Sequence, residues 1–154
     1  MSCAPFVQTP VEVAKKIIQL AELKPGQKLF DLGAGDGRLV IMAAQETEAS
    51  SVGVEMRDDL VERARSEIRK LGLEGRVSMI NDDFFNVDLS EADVVTLYLT
   101  TSGNERLRPK LESELKEGAK VISHDFKVGN WKPSMVYSEL LGHTIYSYEV
   151  GDQL

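Results

Sequence analysis

Beyond Pro10 the apolar positions Val11, Ala14, Ile17, Ile18 and Ala21 recur three and four apart, which predicts an amphipathic helix that Pro25-Gly26 ends. Lys28 to Leu32 then reads as a strand, and Leu39, Val40, Met42, Ala43 and Ala44 give the next helix its apolar face. Ser51 to Glu55 forms a second strand. Asp58 to Leu71 returns to helical spacing, with Leu60, Val61, Ala64, Ile68 and Leu71 inward and Asp59 and Arg63 placed as an i,i+4 pair. Further strands follow at Val77 to Ile80, Asp93 to Leu99 and Ala119 to Asp125, with a helix from about Asn104 to Lys116 between the last two. Val136 to Leu141 and Thr144 to Val150, divided by Gly142-His143, predict a closing hairpin, because too little chain remains for another helical crossover.

Strands alternating with helices imply an α/β, Rossmann-like parallel sheet covered on both faces, with ligands at the carboxyl ends of its strands. Asp31, Glu55, Asp83, Tyr98 and His124 all fall at or just beyond such an end. Five strand tips therefore converge on one crevice.

The first tip carries the most information. Gly33, Gly35 and Gly37 alternate within Asp31-Leu32-Gly33-Ala34-Gly35-Asp36-Gly37-Arg38, so the backbone can turn tightly and a ligand can reach it. A dinucleotide loop of the form G-x-G-x-x-G needs a third glycine where Arg38 stands. Asp31 and Asp36 also put negative charge where phosphate oxygens would sit. A cofactor bearing cations fits better, and S-adenosylmethionine carries an ammonium, a sulfonium and only one carboxylate. Glu55, eighteen residues beyond Gly37, ends the second strand, where an acid can accept hydrogen bonds from both hydroxyls of a ribose.

The 154 residues suit a single domain spanning 1–154, long enough to bury about 68–70% of the unfolded surface. No apolar run approaches the ~20 residues of a membrane span, so no stable membrane insertion is expected. The N-terminus lacks a signal-peptide pattern and Cys3 is the single cysteine, which points to the cytoplasm and to an incidental thiol. A net charge of −7 argues against a protein that grips nucleic acid through phosphates and favours basic partners. His124 and Asp125 invite a metal or general-base reading. Only one other histidine, His143, exists and no metal-ligand spacing accompanies them, so no metal is expected and a hydrogen-bonded structural histidine is favoured.

Taken in order, DLGAGDG, GVE, NDDFF, VVTLYL and SHDF resemble the class I S-adenosylmethionine-dependent methyltransferases over nearly the whole chain. PFVQTP with ADVVTLYL and VISHDF is similar to the small archaeal protein-lysine methyltransferases and their relatives that modify lysines of mitochondrial membrane proteins. That resemblance implies a seven-stranded, mostly parallel sheet with an antiparallel last strand, S-adenosylmethionine as cofactor, and transfer of methyl groups to exposed lysines of protein substrates by a monomer. It implies Asp31, Gly33 and Gly35 at the methionine end, Glu55 at the ribose, Met56 over an adenine face, and Asp83 with the Phe84 backbone at the adenine edge, although Asp82 offers the same contact. Phe6, Thr9 and Pro10 match a motif expected to fold over the cofactor and border a lysine channel. Tyr98 is expected beside the transferred methyl, as a catalytic and substrate-binding residue. Trp131 either receives substrate or caps the core. Nucleic-acid amino methyltransferases usually carry Asn or Asp, Pro-Pro and an aromatic after the fourth strand, where this chain has Tyr98-Leu99-Thr100-Thr101. Two other readings are a small-molecule methyltransferase, for which the chain has little length to build a lid, and a cofactor-binding module without activity.

Overall fold

Alternation along the strands sorts the core into two layers. In β1 (Lys28–Leu32), Leu29 packs into one apolar cluster while Phe30 and Leu32 pack into the other. The computed structural model describes residues 8–151. Around β1 the chain runs α1 (Val11–Ala21), α2 (Arg38–Glu46), β2 (Ser50–Glu55), α3 (Asp58–Lys70), β3 (Val77–Asn81), a 3-10 turn (Phe84–Asn86), β4 (Val94–Leu97), α4 (Thr101–Glu114), β5 (Lys120–His124), β6 (Met135–Leu140) and β7 (His143–Glu149). Helices α1, α2 and α3 cover one face through residues such as Ile17, Val40 and Ala64. Helix α4 covers the other through Leu107 and Leu111, helped by the loops that carry Leu89, Val128 and Trp131.

The sheet has seven strands in the order β3-β2-β1-β4-β5-β7-β6. The first five are parallel, and β7 runs antiparallel to both β5 and β6. This is the mostly parallel sheet with a closing hairpin that the strand spacing predicted. The strand order reverses direction between β1 and β4, and the crevice at such a switch point is where open α/β sheets bind ligands. No helix among the described residues is long and apolar enough to cross a membrane.

Several boundaries differ from the sequence reading. Helix α4 starts at Thr101, before its first apolar position, because the Thr100 hydroxyl accepts the Gly103 N–H at 3.0 Å and caps it. Strand β4 ends at Leu97, so Tyr98 lies just beyond the strand. Asp59 pairs with Arg57 at 2.8 Å, and Arg63 instead reaches Asp36 at 3.9 Å. Phe6 and Cys3 lie outside the described residues.

Gly53 of β2 has no room for a side chain. A Cβ there would stand 2.6 Å from Met79 Sδ and 2.8 Å from Ala34 Cβ. Gly53→Ala is expected to lower stability by about 1–3 kcal/mol through overpacking, read as a lower urea midpoint at unchanged slope.

Candidate active site

The turn leaving β1 needs its glycines. Gly33, Gly35 and Gly37 have φ of 80°, 60° and 82°, in the left-handed region that side chains rarely enter. The carbonyl of Val54 in β2 accepts the N–H groups of Gly33 at 2.8 Å and Ala34 at 2.9 Å. Glu55 then clamps the loop from the side: its two carboxylate oxygens accept the N–H of Gly35 at 2.9 Å and of Arg57 at 3.0 Å, and the residue is only 8% exposed. An acid at the tip of β2 thus holds the glycine loop as well as facing the crevice.

Asp31 lies opposite Thr96 in the β1–β4 register, and the Thr96 hydroxyl donates to its carboxylate at 2.8 Å. Burial pushes the Asp31 carboxyl up to about 7, against the Thr96 hydrogen bond and with help from the Glu55 charge. Asp36 differs. Burial pushes its carboxyl up, but Arg38, donating from Nη2 at 2.8 Å and Nε at 3.1 Å, outweighs that and leaves it below its ordinary value. Repulsion of phosphates by the crevice therefore rests on Asp31 and Glu55, and the contribution expected of Asp36 is cancelled by Arg38. Arg38 also donates from Nη1 to the Thr9 carbonyl at 3.5 Å, which ties the segment before α1 to the rim.

An open cleft with about 730 Å³ of empty space lies at these tips, and Thr9, Asp31, Gly33, Gly35, Glu55 and Tyr98 all line it. Thr96, Arg38 and His124 line it too. Thr96 could have been singled out from sequence, as the one polar residue in the apolar run Val94-Val95-Thr96-Leu97. Met56, Asp83 and Phe84 are not on its wall. The Asp83 carboxylate caps the 3-10 turn by accepting the Phe85 N–H at 3.0 Å, and Phe84 is buried in the core beneath α4. The Asp82 carboxylate accepts the Asp83 N–H at 2.7 Å, and the Asp82 N–H donates to the Glu55 carbonyl at 3.1 Å, so both acids follow β3 beside the ribose position expected of Glu55.

Trp131 does not line the cleft. It is buried, its indole N–H donates to Glu112 at 2.9 Å, and its ring meets Tyr148 edge-on at 5.7 Å. A tryptophan satisfied within the core has no surface to offer a substrate, so it caps the core.

At the far end of the cleft the Tyr98 ring stacks on His124, centroids 3.7 Å apart. Burial first, and then the neighbouring Asp125 carboxylate, push the Tyr98 hydroxyl up, so it stays protonated. His124 is wholly buried, and burial lowers its basicity against the pull of the Asp125 charge.

The ANTKMT methyltransferase domain model matches residues 31–135. A protein-lysine N-methyltransferase of Saccharolobus islandicus is 42% identical over 152 residues, 96% of this chain and 94% of that protein. The adenine nucleotide translocase lysine N-methyltransferase of Mus musculus is 32% identical over 95% of this chain, which spans 63% of that protein's length. Among solved structures, an RNA methyltransferase from Salinibacter ruber in complex with S-adenosyl-L-homocysteine is 41% identical, with a TM-score of 0.92 and 96% of each chain covered.

Proposed function

The chain belongs to the ANTKMT methyltransferase domain family, and from that membership we propose that residues 1–154 act as one domain that transfers methyl groups from S-adenosylmethionine to lysine side chains of proteins. The cofactor fits what the cleft offers. Asp31 and Glu55 are two buried carboxylates beside a loop without side chains, suited to an ammonium, a sulfonium and a ribose, and hostile to a pyrophosphate. In this reading Asp31, Gly33 and Gly35 hold the methionine end, Glu55 the ribose, and Met56 after β2 with Asp83 and Phe84 after β3 the adenine. Thr9, fixed by Arg38, borders the opening.

When bound, S-adenosylmethionine supplies a methyl group on a positively charged sulfur, open to displacement by an amine in line with the breaking bond. The residues of this chain have two tasks: to present a neutral lysine amine and to hold it on that line. Neutralising a lysine of pKa about 10.4 near pH 7.5 costs roughly 4 kcal/mol. Positioning in a near-attack geometry offsets ~7–11 kcal/mol, so proton loss to water before docking suffices. Tyr98, just beyond the tip of β4 and fixed by its stack on His124, walls the acceptor side. Tyr98→Phe keeps the ring and removes the hydroxyl; turnover is expected to fall about tenfold with cofactor affinity unchanged, measured by steady-state kinetics beside calorimetry. The opposite split removes Tyr98 from the acceptor side.

Two relatives of nearly equal identity act on different acceptors, so the acceptor side decides. The observation that carries the protein reading is the chemistry after β4: Tyr98-Leu99-Thr100-Thr101 offers no Pro-Pro-aromatic clamp for a base amine. The net charge of −7 supports the same choice, because an acidic protein forfeits the phosphate attraction that drives RNA binding. A single cysteine supports a cytoplasmic setting. Incubation of the protein with methyl-labelled cofactor and separate protein and RNA extracts is the test. Label on lysine in the protein fraction is expected; label confined to RNA or to small molecules overturns the proposal.

A further inference from the structure

Three donor atoms meet behind Tyr98 with too few protons between them. His124 ends β5 and His143 opens β7, and the antiparallel register that pairs His124 with Ile145 brings the two rings together. His124 Nε2 lies 2.8 Å from His143 Nδ1; the Asp125 carboxylate oxygen Oδ2 lies 2.9 Å from His143 Nδ1 and 3.5 Å from His124 Nε2. Among the described residues this is the one group of three ligand-type side chains so gathered.

At most one hydrogen lies between the three atoms. If His143 Nδ1 carries the proton, that one hydrogen is shared between the carboxylate 2.9 Å away and His124 Nε2 2.8 Å away, whose lone pair has no other donor. If His124 Nε2 carries it, the bare Nδ1 of His143 faces the carboxylate lone pairs at 2.9 Å. A cation at the centre of the triangle accepts all three lone pairs at once.

We propose that His124, Asp125 and His143 bind a divalent zinc ion, with the fourth position open to water. Two imidazole nitrogens and one carboxylate oxygen form a borderline donor set of the kind zinc takes. In a tetrahedral site with bonds of about 2.0–2.1 Å the ligand atoms are ~3.3 Å apart, near the 2.8, 2.9 and 3.5 Å found here. The carboxylate is already aimed. Asp125 holds a left-handed backbone, φ 67°, its N–H donates to the Thr144 carbonyl at 2.7 Å, and its other oxygen accepts the Thr144 N–H at 3.0 Å. That outer contact steadies a ligand as metal sites require. The side chains of Asp125 and His143 are 25% and 24% exposed, which leaves a path in. Because Tyr98 stacks on the His124 ligand, the ion would fix the wall of the cleft.

Tag-free full-length protein stripped with chelator and titrated with zinc chloride by calorimetry tests the site. One zinc per chain is expected, and cobalt in its place is expected to give the visible spectrum of a tetrahedral ion. Losing an outer contact weakens metal sites about 10–100-fold, so His143→Gln and Asp125→Asn are each expected to weaken binding by about 100-fold or more, with folding checked by circular dichroism. No saturable binding overturns the proposal. So does binding that survives both variants, or that is lost with Cys3→Ser and kept in His143→Gln.

Discussion

Glu55→Ala is expected to weaken binding of S-adenosylhomocysteine by about 100-fold or more and to lower the melting temperature. Hydrogen bonds to a charged group contribute about 1.5–3 kcal/mol each, and a carboxylate that accepts two ribose hydroxyls loses both. Melting falls for a separate reason. The same carboxylate accepts the N–H groups of Gly35 and Arg57 in the protein by itself, and removing it takes that acceptor from both, at about 1–3 kcal/mol each where water cannot replace it. Glu55→Gln separates the two effects. Its amide oxygen can still accept from Gly35, so most of the melting temperature returns, while one acceptor for the ribose is gone and affinity stays reduced. Calorimetry with S-adenosylhomocysteine and thermal unfolding of both variants measure the two quantities. Wild-type affinity in Glu55→Ala would remove Glu55 from the ribose.

The parts of this site that were legible in the sequence are those fixed by local backbone demands. Alternate glycines after an apolar run permit the left-handed turn that other residues resist, and the next strand of a parallel unit ends beside it, so Asp31, the glycine loop and Glu55 could be placed before any tertiary contact was known. Tyr98 and His124 followed from the same rule about strand tips. What the sequence could not supply depends on long-range register. His143 stands beside His124 because β7 doubles back against β5, and no spacing within one segment records that. Trp131 sits in a Gly-Asn-Trp-Lys-Pro stretch that has the composition of a surface loop, yet Glu112, a helical acid with no apolar signal, reaches over to satisfy its indole and allows it to be buried. The reading of Asp36 failed for a related reason. In the sequence Arg38 is the residue that spoils a dinucleotide motif, and its second effect, cancelling the charge two residues before it, shows only in the side-chain geometry.

Cofactor binding is expected to tighten as pH rises from about 5 to about 8, and Asp31→Asn is expected to abolish that dependence along with most of the affinity. The Asp31 carboxyl ordinarily loses its proton near 3.8 but is pushed up to about 7 by burial in the folded protein. A cationic ligand needs the ionised form, so below pH 7 a proton must leave for each ligand bound, and the dissociation constant rises by up to about tenfold per pH unit as pH falls. Stability of the free protein follows the reverse course. The folded state holds a proton that the unfolded chain has lost between pH ~4 and ~7, so this group's contribution is complete below ~4 and is lost as pH rises to ~7, a difference of up to about 4 kcal/mol. Asp31→Asn carries no charge to bury and still accepts from Thr96. The variant should therefore unfold at higher urea than wild type at pH 8, converge with it toward pH 5, and bind S-adenosylhomocysteine about 100-fold less tightly. Urea midpoints across that range, and calorimetry in buffers of different protonation enthalpy to count the released proton, measure both sides of the exchange. A wild-type protein that binds the ligand equally well at pH 5.5 and 8 without proton release would mean that Asp31 does not face the cation.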